Sequence, residues 1–225
     1  MPRIARPVFP GLPHHVTQRG NRRETVFFCD ADHRTYLDWL HEYAVAHRTL
    51  VLAYCLMPNH MHAVVVPESA DSLERMFRCL DTRYAMRVNR RTGWSGHVWQ
   101  GRFFSAPLDD AYMRTAVRYV ELNPVRAKMV KCAADYRWSS AAAHCRNEPD
   151  RLLADPSPWL EGVVPGAQWH SWLEAGEQPE QITILRRNVE RAMPCGSETF
   201  VARLERIAGR SLRPAARGRP RKPPG

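Results

Sequence analysis

His60 and His62 stand two residues apart in His60-Met61-His62-Ala63-Val64-Val65-Val66, a run with Pro58-Asn59 before it and Pro67 after it. On a β-strand successive side chains leave opposite faces, so both imidazoles would emerge together while Met61 and Ala63 enter a core. Neutral imidazole is a good ligand for divalent metals, and two on one face can share an ion. A second set lies in Arg118-Tyr119-Val120-Glu121-Leu122-Asn123-Pro124. On a helix Tyr119 and Asn123 are one turn apart and share a face, and Pro124 should end or kink that helix at Asn123. An amide oxygen at a helix end can complete a metal site begun by imidazoles, leaving a phenol oxygen one turn away. Such a set could break and remake phosphodiesters, because a metal stabilises charge on phosphate oxygens and a covalent tyrosine intermediate stores the bond energy. Each half also has a plainer reading. His-x-His pairs are common on half-exposed strands, and Tyr112, seven residues before Tyr119, shares nearly its face. The residue four beyond Tyr112 is Ala116, which cannot bind metal, and this favours Tyr119.

The elements that must position these residues follow from pattern. His14 to Gln18 reads as a first strand and ends in the basic turn Arg19-Gly20-Asn21-Arg22-Arg23. Asp30 can cap a helix with Tyr36, Leu37, Leu40, Tyr43 and Ala44 along one side. Leu50 to Leu56 is apolar throughout and reads as a strand buried on both faces, joined by Met57-Pro58-Asn59 to the histidine strand as a β-hairpin. Asp71 with Glu74 forms a capping-box pattern ahead of a helix striped by Leu73, Met76, Phe77, Leu80 and Tyr84. His97 to Leu108 reads as a fourth strand, and Asp109 or Asp110 caps the tyrosine helix. The order β-α-β-β-α-β predicts an α+β, ferredoxin-like sandwich around a central antiparallel sheet. Further helices are expected over 169–173, 182–192 and 197–209. The division expected is a nuclease-like domain over 1–145, a helical extension over 146–210 and a disordered basic tail over 211–225.

Composition narrows the class. With 44% hydrophobic residues a core can be buried, and no apolar run approaches bilayer length. The opening Met-Pro-Arg-Ile-Ala-Arg-Pro lacks the apolar stretch of a secretion signal. Six cysteines include no Cys-x-x-Cys pair, so they read as reduced structural thiols in a cytoplasmic protein. The formal charge of +10 points to nucleic acid before membrane surfaces, although a general arginine bias would also supply charge.

Read in order, Met57-Pro58-Asn59-His60-Met61-His62, Trp99-Gln100-Gly101-Arg102-Phe103, Tyr119-Val120-Glu121-Leu122-Asn123-Pro124-Val125-Arg126-Ala127 and Trp138-Ser139-Ser140 resemble the REP-associated tyrosine transposases. These are relatives of single-tyrosine insertion-sequence transposases within the HUH nuclease group. His14-His15-Val16-Thr17-Gln18-Arg19-Gly20-Asn21 is similar to the family's opening strand and turn. The resemblance implies His60 and His62 as the metal pair, Mg²⁺ or Mn²⁺ as the ion, and Tyr119 as the nucleophile that takes a 5′-phosphate and frees a 3′-OH. In mobile relatives a glutamine four residues after the tyrosine is often the third ligand. Asn123 stands there here, on a shorter arm, so Asn123, water or another side chain could complete the set.

The resemblance further implies single-stranded DNA hairpins, REP-like palindromes, as partners, with bases beside the hairpin foot read by a basic groove and aromatic stacking. Arg19, Arg22, Arg23 and Arg102 are the candidates, each also readable as a solvated basic edge. In the tail, Arg217-Gly218-Arg219-Pro220-Arg221-Lys222 resembles an AT-hook, an arginine-bearing segment for the minor groove of A·T-rich duplex. A nucleoid-associated protein acting as a monomer is the expectation, with no membrane partner. Two other readings stay open from sequence: a domesticated hairpin-binding protein that does not cleave, and a different His-x-His phosphodiesterase in which Tyr119 is structural.

Overall fold

Strand alternation and long-range pairing build the scaffold. A computed structural model describes residues 6–160, 165–176 and 178–214. The first strand, β1 (His14–Arg19), leads into helix α1 (Asp30–Ala46), then the hairpin β2 (Thr49–Met57) and β3 (His60–Pro67). Helix α2 (Ser72–Thr92) precedes β4 (Phe104–Pro107). The four strands form one antiparallel sheet ordered β2-β3-β1-β4, which is the ferredoxin-like arrangement expected from the element order. Register fixes the faces. His62 lies opposite Thr17 of β1 and Cys55 of β2, and His60 lies opposite Arg19 and Met57, so one face carries His15, Thr17, Arg19, His60 and His62. The opposite face carries Val16, Met61, Ala63 and Val65, all buried, and Gln18, which reaches Asp81 of α2 and so marks the side covered by α1 and α2.

The histidine face is covered by α3 (Asp110–Glu121), which packs on β1, β2 and β3. Short helices α4 (Asn123–Arg126) and α5 (Ala141–Arg146) follow, then α6 (Ala167–Glu174), α7 (Pro179–Glu190) and α8 (Glu198–Ala208). Trp169, Leu173, Ile182, Leu185 and Val189 of α6 and α7 join the same buried cluster as the sheet, so these helices are built into the core. Glu121, fully buried at the end of α3, ties the parts together. Its Oε1 accepts from Ser140 Oγ at 2.5 Å and His144 Nδ1 at 2.6 Å, and its Oε2 accepts from Trp169 Nε1 at 2.7 Å. A buried carboxylate is tolerable only when its oxygens are matched by donors, and here three residues from α5, its N-cap and α6 supply them. Two of the motifs read in sequence, Tyr119-Val120-Glu121 and Trp138-Ser139-Ser140, thereby meet in space.

Several sequence expectations change in detail. The stretch 96–103 is an irregular loop, and β4 is only Phe104–Pro107, because the glycines at 96 and 101 interrupt pairing and the loop holds to β1 through a bridge between Gly20 and Trp99. The cap of α1 is Cys29, with Asp32 accepting the backbone N–H groups of Phe28 and Cys29. Asp71 stands at the N-cap of α2 without a capping bond, pairing instead with Arg75 at 2.7 Å. Leu50 is 45% exposed, so β2 is not buried along its whole length. The tyrosine helix stops at Glu121 and a new short turn starts at Asn123, with Pro124 inside it. Asp109 does cap α3, accepting from Tyr112 N at 3.0 Å.

Gly20 closes β1 and is constrained by close approach. A methyl group there would sit 2.3 Å from the Glu24 carbonyl oxygen and 2.7 Å from Val26 Cγ1, while Gly20 N donates to Asn59 O at 2.8 Å. Gly20→Ala should cost about 2 kcal/mol or more, because backbone must move to admit the methyl. Urea denaturation of the variant checks this, and a midpoint equal to the parent's would contradict it.

Candidate active site

Three histidines, from two neighbouring strands, form the floor of the site. The His62 ring stacks on His15 with centroids 5.2 Å apart and meets His60 edge-on at 4.9 Å. His15 Nε2 and His62 Nδ1 are 3.1 Å apart, and His60 Nδ1 lies 2.6 Å from Asn59 Oδ1. With protons on His62 Nδ1 and His60 Nδ1, both bonds are made and both Nε2 lone pairs are left free for a ligand, the arrangement in which outer partners fix the tautomer of metal-binding imidazoles. His62 Nε2 is buried with no hydrogen-bond partner. Burial lowers the pKa of all three rings: His15 to about 3, His60 to about 4 with help from the Arg19 charge, and His62 well below the usual value, with His60, His15, Arg19 and Arg126 adding to the effect. The rings are therefore neutral at physiological pH and able to donate to a cation.

Tyr119 stands over this floor. Its ring meets His62 edge-on at 5.4 Å and His15 at 5.7 Å, and the residue is only 7% exposed. Two guanidinium groups flank it. Arg126 lies 4.2 Å from the ring centroid and donates to the Tyr119 carbonyl at 2.6 Å. Arg186 of α7 donates from Nε to the Tyr119 hydroxyl at 3.2 Å and lies 5.2 Å from the ring centroid. Tyr112 sits two turns earlier, where Cys195, Asp109 and Arg187 are its electrostatic neighbours, away from the imidazoles.

The donor set fits a divalent cation in part. Among the described residues no group of three or more His, Cys, Asp or Glu side chains makes a complete cation site. The set on offer is two neutral imidazoles, His60 and His62. Asn123 is 8% exposed and its Nδ2 has no hydrogen-bond partner, an orphaned buried amide. Two imidazoles and no carboxylate leave positions for phosphate oxygens or water.

The basic candidates fall into two groups. Arg19 is paired with His60 across the sheet, and Arg22 and Arg23 occupy a tight turn with φ of 53° and 64°. Asn59 Nδ2 donates to the Arg23 carbonyl at 2.9 Å, so the residue that orients His60 also pins this turn beside it. Arg102 is placed elsewhere, on a cleft of about 950 Å³ between α2 and the loop 96–103. Arg6, Arg78, Trp99, Gln100 and Phe103 line the same cleft, with Arg6 4.8 Å from the Phe103 ring centroid. Arg217, Arg219, Arg221 and Lys222 lie outside the described residues.

Asp81 lines the cleft too. It accepts from Gln18 Nε2 at 2.7 Å, with the Tyr36 hydroxyl 3.5 Å away, yet burial outweighs both and pushes its pKa up to about 7. An acid whose folded pKa exceeds its ordinary 3.8 holds its proton more tightly folded than unfolded, so stability falls as pH rises between those values and the cost is complete above about 7. Asp81→Asn removes the charge and keeps an acceptor for Gln18. Partial exposure in the cleft discounts the shift, so the variant should gain on the order of 1–2 kcal/mol at pH 8 and little at pH 5. Thermal melts at the two pH values read this, and an equal change at both would contradict it.

His15 was not among the residues singled out by sequence. Its role depends on the register that sets it diagonal to His62, and register between strands 47 residues apart leaves no local signal beyond the alternation His15, Thr17, Arg19. Arg126 and Arg186 were missed for the same reason.

The family model described as "Transposase IS200 like" matches residues 9–123, just over half of the chain, and spans β1 through the start of α4. The fold is similar to that of a REP-associated tyrosine transposase whose structure was solved bound to a REP hairpin, at 21% identity and a TM-score of 0.55, covering 69% of this chain and 92% of that one. A putative transposase from Deinococcus radiodurans R1 also matches, at 17% identity and a TM-score of 0.36, covering 57% of this chain and 92% of that one. No protein with a curated description matches. None of the described helices is long and apolar enough to cross a membrane. The chain belongs to the IS200-like transposase family.

Proposed function

We propose that this transposase-family chain nicks and rejoins single-stranded DNA at hairpins, with Tyr119 as nucleophile and His60 and His62 as holders of Mg²⁺ or Mn²⁺. The observation that carries the reading is the seating of the Tyr119 ring against His62, whose Nε2 is bare. A buried imidazole nitrogen without a partner loses about 1–3 kcal/mol, and a cation is the ligand that its neutral lone pair suits. When bound, the cation would neutralise charge on the oxygens of the scissile phosphate. His15 and Asn59 hold the two imidazoles in the required tautomer. Tyr119 Oη attacks phosphorus and ends joined to the 5′-phosphate, while the 3′-oxygen leaves as a hydroxyl. Asn123 is the proposed third protein ligand. Because His62 and Tyr119 of one chain lie side by side, one chain completes the set, and action as a monomer is proposed.

Hairpin recognition is proposed from charge and placement. Arg19, Arg22 and Arg23 gather at the His60 end of the sheet, where they would grip phosphates next to the cut. The cleft at Arg102, with Trp99 and Phe103, offers stacking surfaces and positive charge to unpaired bases. The neighbour whose structure is bound to a REP hairpin supports a hairpin as the substrate class. The basic tail is proposed to add duplex affinity. The test is incubation of the full chain with Mn²⁺ and single-stranded hairpin oligonucleotides taken from repeats around the gene. A covalent protein–DNA adduct is expected. Tight binding without cleavage would turn the reading into a hairpin-binding protein.

A further inference from the structure

Helix α7 lies beyond the stretch shared with the family model, yet it delivers a charged group to the centre of the site. Its apolar residues Ile182, Leu185 and Val189 are buried, and it packs on α3, so the helix is fixed relative to Tyr119. Arg186, next to Leu185, is turned toward α3. Its Nε points at Tyr119 Oη at 3.2 Å while its guanidinium carbon lies 5.2 Å from the ring centroid. Simple stacking of a cation on an aromatic ring would not aim a donor at the hydroxyl. Arg186 also forms no ion pair with a carboxylate among the described residues, although arginines elsewhere do, among them Arg83, Arg91, Arg137 and Arg151. Its charge therefore stands beside the phenol and is open to an incoming anion.

Resting on the proposed function, we propose that Arg186 is a catalytic residue: it holds Tyr119 Oη in place for attack and receives the negative charge that builds on that oxygen and on the phosphate. A guanidinium suits both tasks, because its donors form a rigid fork matched to phosphate oxygens and it stays charged. In the step, the Tyr119 O–H bond breaks, the Oη–P bond forms and the P–O3′ bond breaks. The phenol proton passes through solvent to the departing 3′-oxygen, and Arg186 remains protonated throughout. Catalysis would thereby require the C-terminal helices, which supply a group that the 9–123 stretch lacks.

The test uses the full chain with Mn²⁺ and a hairpin oligonucleotide that the parent cleaves. Adduct formation is followed in single turnover at saturating protein, and hairpin Kd is measured separately. Arg186→Ala and Arg186→Gln should each slow adduct formation about 100-fold, the usual effect of losing one preorganised donor to developing charge. Kd should stay within about twofold, since one rim phosphate contact contributes little to total affinity. Ethylguanidinium added to Arg186→Ala should restore about tenfold of the rate, a rescue that packing alone would not show. Parent-like rates in both variants overturn the proposal, as does slowing with no guanidinium rescue together with a lowered melting temperature. Tyr119→Phe run in parallel separates the two claims: if it still cleaves, the parent reading falls; if it is dead while Arg186→Ala is normal, only the role of Arg186 falls.

Discussion

Tyr119→Phe should abolish covalent adduct formation and slow cleavage by a factor on the order of 10⁴ or more, while leaving the fold and hairpin affinity close to the parent's. The substitution deletes one atom. The ring that remains keeps its edge contacts with His62 and His15 and its position beneath Arg126. The hydrogen bond from Arg186 is lost, and such a bond contributes about 1 kcal/mol, too little to unfold a domain. The loss in chemistry and the small loss in stability therefore separate cleanly. Gel assays of adduct and product, with melting temperature and hairpin Kd alongside, make the comparison. Cleavage at parent rates in this variant would move the chemistry to a water nucleophile and make Tyr119 structural, the reading of a different His-x-His phosphodiesterase.

His62→Ala should lower cleavage by about 10³-fold, because a transition-state charge that a metal stabilises by several kcal/mol would be left without one of its two imidazole holders. Raising Mn²⁺ should recover part of the rate in His60→Ala, at the more exposed position, and less in His62→Ala, where the ring is buried and also contacts His15. His15→Phe keeps a stacking surface but removes the partner of His62 Nδ1. It should raise the Mn²⁺ needed for half-maximal rate about 10–100-fold, the range seen when outer partners of metal ligands are removed. A Mn²⁺ titration of the three variants against the parent reads all of these. An unchanged metal requirement in His62→Ala would contradict the assignment.

The sheet was legible because its signals are local. Met57-Pro58-Asn59 between two apolar runs reads as a hairpin, and the alternation from His60 to Val66 sets both imidazoles on one face, as the register with Arg19 and Thr17 bears out. Asp109 was legible as a cap for the same reason, since its acceptor serves the nearby Tyr112 N–H. What depended on distant packing was not. The run 97–108 has strand composition, yet only Phe104–Pro107 forms a strand, because its first part bends away to wall the cleft. The choice between Tyr112 and Tyr119 rested on the identity of Ala116 and Asn123, whereas in space it rests on which ring meets the imidazoles. Glu121 gave no sign of its three buried partners, which come from residues 19 to 48 positions away. Arg186 sits on a helix expected over 182–192 and found at Pro179–Glu190, but the phenol it meets is brought by a different helix.

The most direct measurement is mass-spectrometric mapping of the adduct formed by the full chain on a single-stranded hairpin with Mn²⁺, after digestion of protein and DNA. The account predicts a nucleotide joined through its 5′-phosphate to the peptide that contains Tyr119, with a free 3′-OH on the released strand. A nucleotide on Tyr112 or any other residue, or cleaved DNA bearing an unmodified 5′-phosphate with no peptide attached, would contradict it.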